Sequence, residues 1–174
     1  MLDLADNSNL CETLPPNDSS LRLEDQLCFR LYTATHAMTR VYRPLLSQLG
    51  LTYSQFLVLM ALWENDGQTV SGLGDALLLD SGTLSPVLKR LESAGLVTKT
   101  RQRQDERQVE IALTAQGRSL QAAAAKVRQQ VACRVSLSPA DVRTLHRGLD
   151  QLLAVLKAEV AEADTALMAM GHGG

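Results

Sequence analysis

A chain of 174 residues, of which 45% are hydrophobic, is long enough to bury one core, and this length predicts a single folded domain. It has no apolar run of about 18 residues and no signal peptide at its acidic N-terminus, so we expect a soluble, cytoplasmic protein that does not contact a membrane. The formal net charge of −2 excludes a generally basic protein, but residues 81–107 hold six Lys or Arg against three acidic residues, which indicates either a local phosphate-binding face or a solvated hairpin.

The chain has three cysteines, Cys11, Cys28 and Cys133. An odd number at wide spacing excludes a secreted disulfide framework and does not match a zinc site. The histidines show no metal-ligand spacing, so we expect neither a metal nor another cofactor. Each cysteine must therefore be judged by its own surroundings, and Cys11 has no motif around it.

The N-terminal part combines a tail with a long helix. Residues 1–19 are polar and aperiodic, which predicts a disordered tail before a single domain over residues 20–170. From Leu27 onward, apolar residues recur at intervals of three and four, which predicts a long helix with a narrow apolar seam. We expect Pro44 to bend this helix and Gly50 to end it.

Residues 54–113 predict a helix-turn-helix followed by a β-hairpin. Ser54–Glu64 is apolar on most faces and predicts a buried helix with Trp63 in the core. Val70–Leu79 predicts a short helix, and the Asp80–Gly82 turn supplies an N-cap for a second one.

The second of these two helices is expected to begin near Gly82, to tolerate Pro86 close to its first turn, and to stop at Gly95. Its apolar face recurs at helical spacing and consists of Leu84, Val87, Leu88 and Leu91. The segments Leu96–Arg101 and Gln108–Leu113 flank a polar turn, and apolar residues alternate in the second, which predicts a two-stranded hairpin.

Two further helices complete the chain. Thr114 can cap a helix that reaches about Arg134, and Ser138–Pro139 begins another with a long apolar seam. The helices over residues 20–50 and 114–168 leave their seams with little to cover them inside one small domain, which predicts an intertwined homodimer. The predicted fold class is therefore mainly α with a small β-hairpin wing: a winged helix-turn-helix with a helical dimerisation region built from the N- and C-terminal helices.

The second helix of the helix-turn-helix has the dimensions of a DNA-reading element, because a helix about 10 to 12 Å across fits a major groove about 12 Å wide. The candidate contacts are Ser81, Thr83, Ser85, Pro86, Lys89 and Arg90 on this helix, and Arg101, Arg103, Asp105 and Arg107 on the hairpin. Arg107 is suited to a neighbouring minor groove. Asp105 either holds the Arg107 guanidinium by a hydrogen bond or is a solvated turn acid. A homodimer with two such helices predicts a near-palindromic operator in double-stranded DNA.

The chain resembles the MarR family of winged-helix regulators over roughly residues 22–165. The segment Leu79–Leu91, LDSGTLSPVLKRL, resembles the recognition helix of the family, and Asp105–Val109 followed by Leu113–Thr114 resembles its wing. Three segments resemble one branch of the family, the OhrR-type repressors that sense organic hydroperoxides. These segments are Gln26–Phe29, Tyr42–Leu45 and Leu51–Phe56.

The resemblance implies a redox site made of Cys28, Tyr42, Tyr53 and Cys133. Cys28 and Tyr42 are 14 residues apart, about 21 Å along a straight helix, so they can meet only across a dimer. There the tyrosine hydroxyls would donate hydrogen bonds to the Cys28 thiolate, the form that attacks peroxide. Cys133 lies where the two-cysteine subgroup of the branch has its resolving thiol.

The resemblance therefore implies a transcriptional repressor rather than an enzyme. Organic hydroperoxide would oxidise Cys28 to sulfenic acid, Cys133 would condense with it to a disulfide, and the dimer would release its operator. The resemblance suggests a bond between subunits, whereas the spacing alone leaves open whether the bond forms within or between them.

Other interpretations remain open on the sequence. Both cysteines can be small packed hydrophobes, and both tyrosines can be ordinary packing residues. Within the same fold, the regulator can instead be released by a non-covalent phenolic ligand. A thiol peroxidase is disfavoured because there is no Cys-x-x-Cys pair and no general base, and a winged helix used only for protein contacts is disfavoured by its basic residues.

Overall fold

The computed structural model describes residues 21–101 and 108–170, with side chains as far as residue 162. The chain divides into two compact units between Arg128 and Gln129. The predicted tail over residues 1–19, which contains Cys11, lies outside the described residues, as do the hairpin residues Arg103, Asp105 and Arg107.

The first long helix, α1, spans Leu27–Leu46 and is continued by a 3-10 turn over Ser47–Leu49. Gly50 ends it with a φ of 69°, a left-handed conformation that glycine adopts without strain, and this confirms the predicted helix end. The change from α to 3-10 geometry follows Pro44, where Ser47 Oγ donates to the Pro44 carbonyl at 3.0 Å.

Helix α2 spans Tyr53–Glu64 and supplies much of the core of the first unit. A capping box begins it: the Gln55 amide donates to Thr52 Oγ1 at 3.3 Å, and the Thr52 amide donates to Gln55 Oε1 at 2.8 Å. Its buried apolar residues are Phe56, Val58, Leu59 and Leu62, which confirms the predicted buried helix.

The prediction that Trp63 belongs to the core is wrong. Its side chain is half-buried, since one edge lines an open cleft with Met60 and Arg128. The polar edge of the indole is used structurally, because Nε1 donates to the Gly117 carbonyl at 3.0 Å.

The helix-turn-helix is confirmed, with α3 over Val70–Leu77 and α4 over Ser81–Ser93. Helix α3 ends two residues earlier than predicted, because Leu78 adopts a left-handed φ of 53°. Helix α4 buries the predicted face of Leu84, Val87, Leu88 and Leu91. It ends before Gly95, whose φ of 70° again marks a left-handed terminus.

The predicted hairpin consists of β2 over Val97–Arg101 and β3 over Val109–Leu113, paired antiparallel with Val97 opposite Leu113. The sequence did not predict a third strand, β1, over Gln68–Thr69, which pairs with the other edge of β3. The sheet order is β1-β3-β2, and the mainly helical fold with a small β-sheet wing is confirmed.

The predicted continuous helix after Thr114 is interrupted. Thr114 caps a short α5 over Ala115–Ser119, which ends at its C-cap residue Leu120, and α6 then runs over Gln121–Val135. Helix α7 spans Pro139–Met170, and its predicted N-cap is present because the Asp141 amide donates to Ser138 Oγ at 3.2 Å.

Among the described residues, no single helix has the length and hydropathy to cross a membrane. The segments Leu27–Leu49 and Tyr53–Glu64 meet these criteria only as a pair, and they are bent by 75° relative to each other.

Candidate nucleic-acid interface and thiol site

Helix α4 presents a polar face to solvent opposite its buried leucines. All six predicted contacts on this helix are exposed: Ser81, Thr83, Ser85, Pro86, Lys89 and Arg90. The buried face packs against the rest of the first unit and holds the helix rigidly. Its polar face stays open to solvent, so the helix is free to enter a DNA groove.

The start of α4 is fixed by Asp80. One carboxylate oxygen accepts from the Thr83 amide at 2.9 Å, and the other accepts from Thr83 Oγ1 at 2.7 Å. The Thr83 hydroxyl therefore commits its proton to the cap and offers only its oxygen lone pairs to a base edge. Sequence reasoning found the cap but did not foresee this restriction on Thr83.

We expect the contribution of Asp80 to stability to depend on its ionisation. The hydroxyl bond from Thr83, and then the Thr83 amide bond, hold the pKa of Asp80 below its ordinary value of 3.8. A carboxyl with a lowered folded pKa stabilises the fold above its unfolded pKa and loses this effect as pH falls through the folded pKa. An Asp80→Ser variant keeps a neutral cap and provides the comparison.

The advantage of the unchanged protein over this variant in free energy of unfolding should be present at neutral pH, begin to decline near pH 3.8, and disappear as pH falls below the lowered pKa of the folded protein. Denaturant unfolding of both proteins across this range measures it. An advantage that persists at the acidic end would show that the charge of Asp80 is not responsible.

The described part of the wing contributes Arg101, which is exposed at the end of β2. Lys99, two residues earlier, is engaged within the protein, because its Nζ lies 3.3 Å from Glu92 Oε2. Arg101 is therefore the better DNA-contact candidate of these two cations.

The structure brings Tyr42 and Tyr53 together. The 75° bend between the two helical segments places their ring centroids 5.2 Å apart, and the Tyr42 ring lies 5.6 Å from that of Phe56. Burial raises the pKa of both phenols, and the neighbouring Tyr42 raises the pKa of Tyr53 further. Both hydroxyls therefore keep their protons at neutral pH and remain hydrogen-bond donors.

Cys28 is exposed near the start of α1, and Cys133 is exposed near the end of α6, in the other compact unit. Helix α1 is continuous from Cys28 to Tyr42, so the Cys28 thiol lies far from the tyrosine pair of its own chain. The structure thus brings the two tyrosines together but not Cys28 with them.

Sequence reasoning missed two features around the tyrosines. The guanidinium of Arg128 acts on Tyr42 and partly offsets the rise in its pKa. A cleft of about 430 Å³ beside Tyr53 is also lined by His36, Arg40 and Arg43. The spacing of these three basic residues on one helix was a usable signal, since residues three and four apart share a helix face.

A helix-turn-helix with an exposed polar α4, followed by a β-sheet wing, defines the chain as a winged-helix protein of the DNA-binding type. A family profile described as transcriptional regulator SarA/Rot matches residues 40–123. The chain is 43% identical over 136 residues to the organic hydroperoxide resistance transcriptional regulator of Bacillus subtilis strain 168, covering 78% of this chain and 92% of that protein.

Solved structures agree with this class. Reduced AbfR bound to DNA is 38% identical, with a TM-score of 0.67 and coverage of 79% of this chain and 96% of that one. Disulfide-formed AbfR is 39% identical, with a TM-score of 0.56 and coverage of 78% and 95%. AbfR is a protein of Staphylococcus epidermidis. The chain belongs to the MarR family of winged-helix transcriptional regulators.

Proposed function

We propose that this chain is a homodimeric repressor that binds a near-palindromic operator, senses organic hydroperoxides through Cys28, and releases the DNA on oxidation. The observation that carries this proposal is the arrangement along α1: Cys28 is exposed near its start, and Tyr42, whose ring contacts Tyr53 of α2, lies toward its other end. The names of the relatives, which include a hydroperoxide resistance regulator and DNA-bound AbfR, point the same way.

The site is completed by a second copy of the chain. A straight helix keeps Cys28 about 21 Å from Tyr42 of the same protomer, so an antiparallel approach of two α1 helices is the simplest way to bring thiol and phenols together. Two protonated phenols that donate to one sulfur stabilise the thiolate that attacks peroxide.

A dimer is also supported by the exposed apolar seam of α7. Four leucines at helical spacing are open to solvent in the single chain: Leu145, Leu149, Leu153 and Leu156. Val160, one turn further, is 59% exposed. A seam of this length is expected to be covered in solution, and residues 20–50 and 114–168 are proposed to form the dimerisation region of one domain that extends over residues 20–170.

The redox step is a two-electron oxidation of sulfur. The Cys28 thiolate attacks the terminal oxygen of the hydroperoxide, the O–O bond breaks, and the organic part leaves as an alcohol, which yields sulfenic acid. The Cys133 thiol then attacks the sulfenic sulfur and expels water to form a disulfide, which cellular thiols reduce. Such thiols are abundant in the cytoplasm, where we place the protein.

Oxidation is proposed to act on DNA binding through the spacing of the two α4 helices. A disulfide needs Cα atoms within about 4.4 to 6.8 Å of each other, whereas a dimer reading successive major grooves must hold its recognition helices roughly 34 to 36 Å apart. We propose that drawing the two cysteines together rotates the DNA-binding lobes, residues 54–113 of each protomer. The two α4 helices then no longer keep the spacing of successive major grooves.

We expect Lys89→Ala to weaken operator binding about tenfold or more and non-specific binding much less, because its exposed ammonium faces a base edge in the proposed complex. Lys99→Ala is the matched control, since that ammonium is paired with Glu92 in the same lobe. Fluorescence anisotropy with operator and scrambled DNA measures both effects. Equal losses for the two variants would remove Lys89 from the reading surface.

The experiment that tests the proposal as a whole is retention on a near-palindromic upstream fragment before and after one equivalent of cumene hydroperoxide. Non-reducing gels and mass analysis of the protein accompany it. Release together with a Cys28–Cys133 bond, reversed by dithiothreitol, is the expected result. Retained binding with an oxidised Cys28 would contradict the proposed switch.

A second candidate is a repressor released by a non-covalent phenolic ligand. The cleft beside Tyr53 favours it, because the guanidiniums of Arg40 and Arg43 give it a cationic lining, beside the His36 ring, that is suited to an anionic aromatic. Release by such a ligand would survive the loss of Cys28, whereas release by oxidation would not.

A further inference from the structure

We propose that Asp66 is a positioning residue for the wing: its carboxylate sets the direction of the β2–β3 hairpin relative to α4 and thereby the affinity for DNA. One oxygen, Oδ1, accepts from the Gly67 amide at 2.9 Å and from the Leu113 amide at 2.8 Å. The other, Oδ2, is ion-paired with Arg118 on α5. One side chain thus joins the turn after α2, the end of β3 and the following helix.

The sheet register explains why this position needs a side-chain acceptor. Gln68 pairs with Ile111 and Thr69 with Glu110, so the same antiparallel register places Asp66 opposite Leu113. Strand β1 begins only at Gln68, and the Asp66 side chain supplies the acceptor that a longer strand would have provided from its backbone. Leu113 is only 4% exposed, so without Asp66 its amide would be left unsatisfied.

The bonds from the Asp66 carboxylate to the Leu113 amide and to Arg118 form an anchor for the wing, and the turn that carries Asp66 is itself fixed. Just before Asp66, the Trp63 indole donates to Gly117, and just after it the Gln68 side-chain amide donates to the Ala61 and Asn65 carbonyls at 2.9 and 2.8 Å. These bonds fix the turn to α2 and to α5. The bonds of Asp66 therefore hold the root of the wing together with the β1–β3 pairing and the bond from the Thr114 amide to the Leu96 carbonyl at 3.0 Å.

A small tilt at this root is amplified at the DNA-facing end. Val97 lies opposite Leu113 at the root, and Arg101 lies opposite Val109 at the other end of β2. Four residues of strand correspond to a lever of about 13 Å. Losing the Leu113 bond lets this lever swing, so Arg101 spends less time where it can reach a phosphate or a minor groove.

This inference rests on the proposed function, because it requires the wing to contact DNA. It also differs from a purely stabilising role. A residue that only stabilises the fold changes the folded fraction, and that effect does not depend on whether Arg101 is present. A residue that acts through the wing loses its effect when the wing cation is removed.

The test is a pair of double-mutant cycles on operator affinity, measured with the folded fraction known from circular dichroism. We expect Asp66→Ala to weaken binding about fivefold, Arg101→Ala about tenfold, and the double variant no more than Arg101→Ala alone, about tenfold. Asp66→Ala combined with Lys89→Ala should give the product of the two single effects. Asp66→Asn, which keeps an oxygen for both amides, should restore affinity to within about twofold.

Multiplicative losses for Asp66→Ala with Arg101→Ala would overturn the inference while leaving the proposed interface intact. An Arg101→Ala variant that binds normally would overturn it as well, and normal binding by Lys89→Ala in addition would overturn the proposed interface. If Asp66→Ala does not fold, hydrogen exchange on the unchanged protein decides. Protection of the Leu113 amide equal to that of Ile111 supports the anchor, and free exchange at Leu113 refutes it.

Discussion

A Cys28→Ser protein is expected to bind its operator as tightly as the unchanged chain and to stay bound when organic hydroperoxide is added. Cys28 is exposed on α1 and lies in neither the buried core nor the solvent face of α4, so the substitution costs little stability and leaves the recognition helix unchanged. Serine is not oxidised to a sulfenic acid, which removes the first step of the switch. Wild-type affinity should fall about tenfold or more on oxidation, a typical coupling between two sites, whereas the variant should change less than twofold.

Cys133→Ser is the informative control for this experiment. It leaves Cys28 free to react but removes the proposed resolving thiol, so with hydroperoxide in excess a second equivalent should oxidise the Cys28 sulfenic acid to sulfinic acid and leave as a second alcohol, and dithiothreitol should no longer restore the starting state. Intact mass spectrometry separates the two variants by the oxygen atoms they gain. Hydroperoxide-induced release by Cys28→Ser would refute the assignment of Cys28 as the sensor and would direct attention to the cationic cleft beside Tyr53.

The helix-turn-helix was predictable because its determinants are local. The spacing of Leu84, Val87, Leu88 and Leu91 defines the buried face of α4 whatever it packs against. Its start needs only Asp80 three residues before an accessible amide, and its end needs only a glycine that tolerates positive φ. Interactions within about four residues decide each of these features, and a sequence displays them directly.

The features that were missed depend on distant partners. Strand β1 has two residues and no alternation, and it exists because β3 lies beside it, more than 40 positions along the chain. The division between α5 and α6 at Leu120 falls within a segment whose composition is helical throughout, and Leu120 itself keeps right-handed helical dihedral angles. Trp63 is half-buried at the edge of an open cleft, and its indole nitrogen bonds to Gly117, 54 positions further along the chain.

The thiol site could be predicted only in part, for the same reason. Helical rise alone shows that Cys28 and Tyr42 cannot meet in one chain. The contact between Tyr42 and Tyr53 depends on the bend between their helices, and the influence of Arg128 depends on α6. Neither the contact between the two tyrosines nor the influence of Arg128 can be predicted from the spacing of these residues along the chain.

Gly117→Ala is expected to cause the largest loss of stability among the substitutions considered for the first unit. Gly117 is buried in α5, and a Cβ there would overlap the Leu96 carbonyl oxygen, with the Leu96 carbonyl carbon at 3.1 Å and Leu113 Cδ2 at 3.2 Å. The Leu96 oxygen is backbone and already accepts from the Thr114 amide at 3.0 Å, so it cannot withdraw without breaking the junction between wing and α5. We expect a loss of about 3 kcal/mol or more in free energy of unfolding, and a melting temperature lower by roughly 10 °C.

Ser119→Ala is the matched control, since it places alanine in the same short helix on the exposed side. Its effect should stay within about 0.5 kcal/mol, so the comparison isolates the clash from helix propensity. Denaturant unfolding at fixed protein concentration measures both variants, because a dimer's apparent stability changes with concentration. If Gly117→Ala unfolds at the same denaturant concentration as Ser119→Ala, α5 does not pack against the Leu96 carbonyl. The anchor assigned to Asp66 and Trp63 would then lose its second attachment point, because Arg118 and the Gly117 carbonyl both belong to that helix.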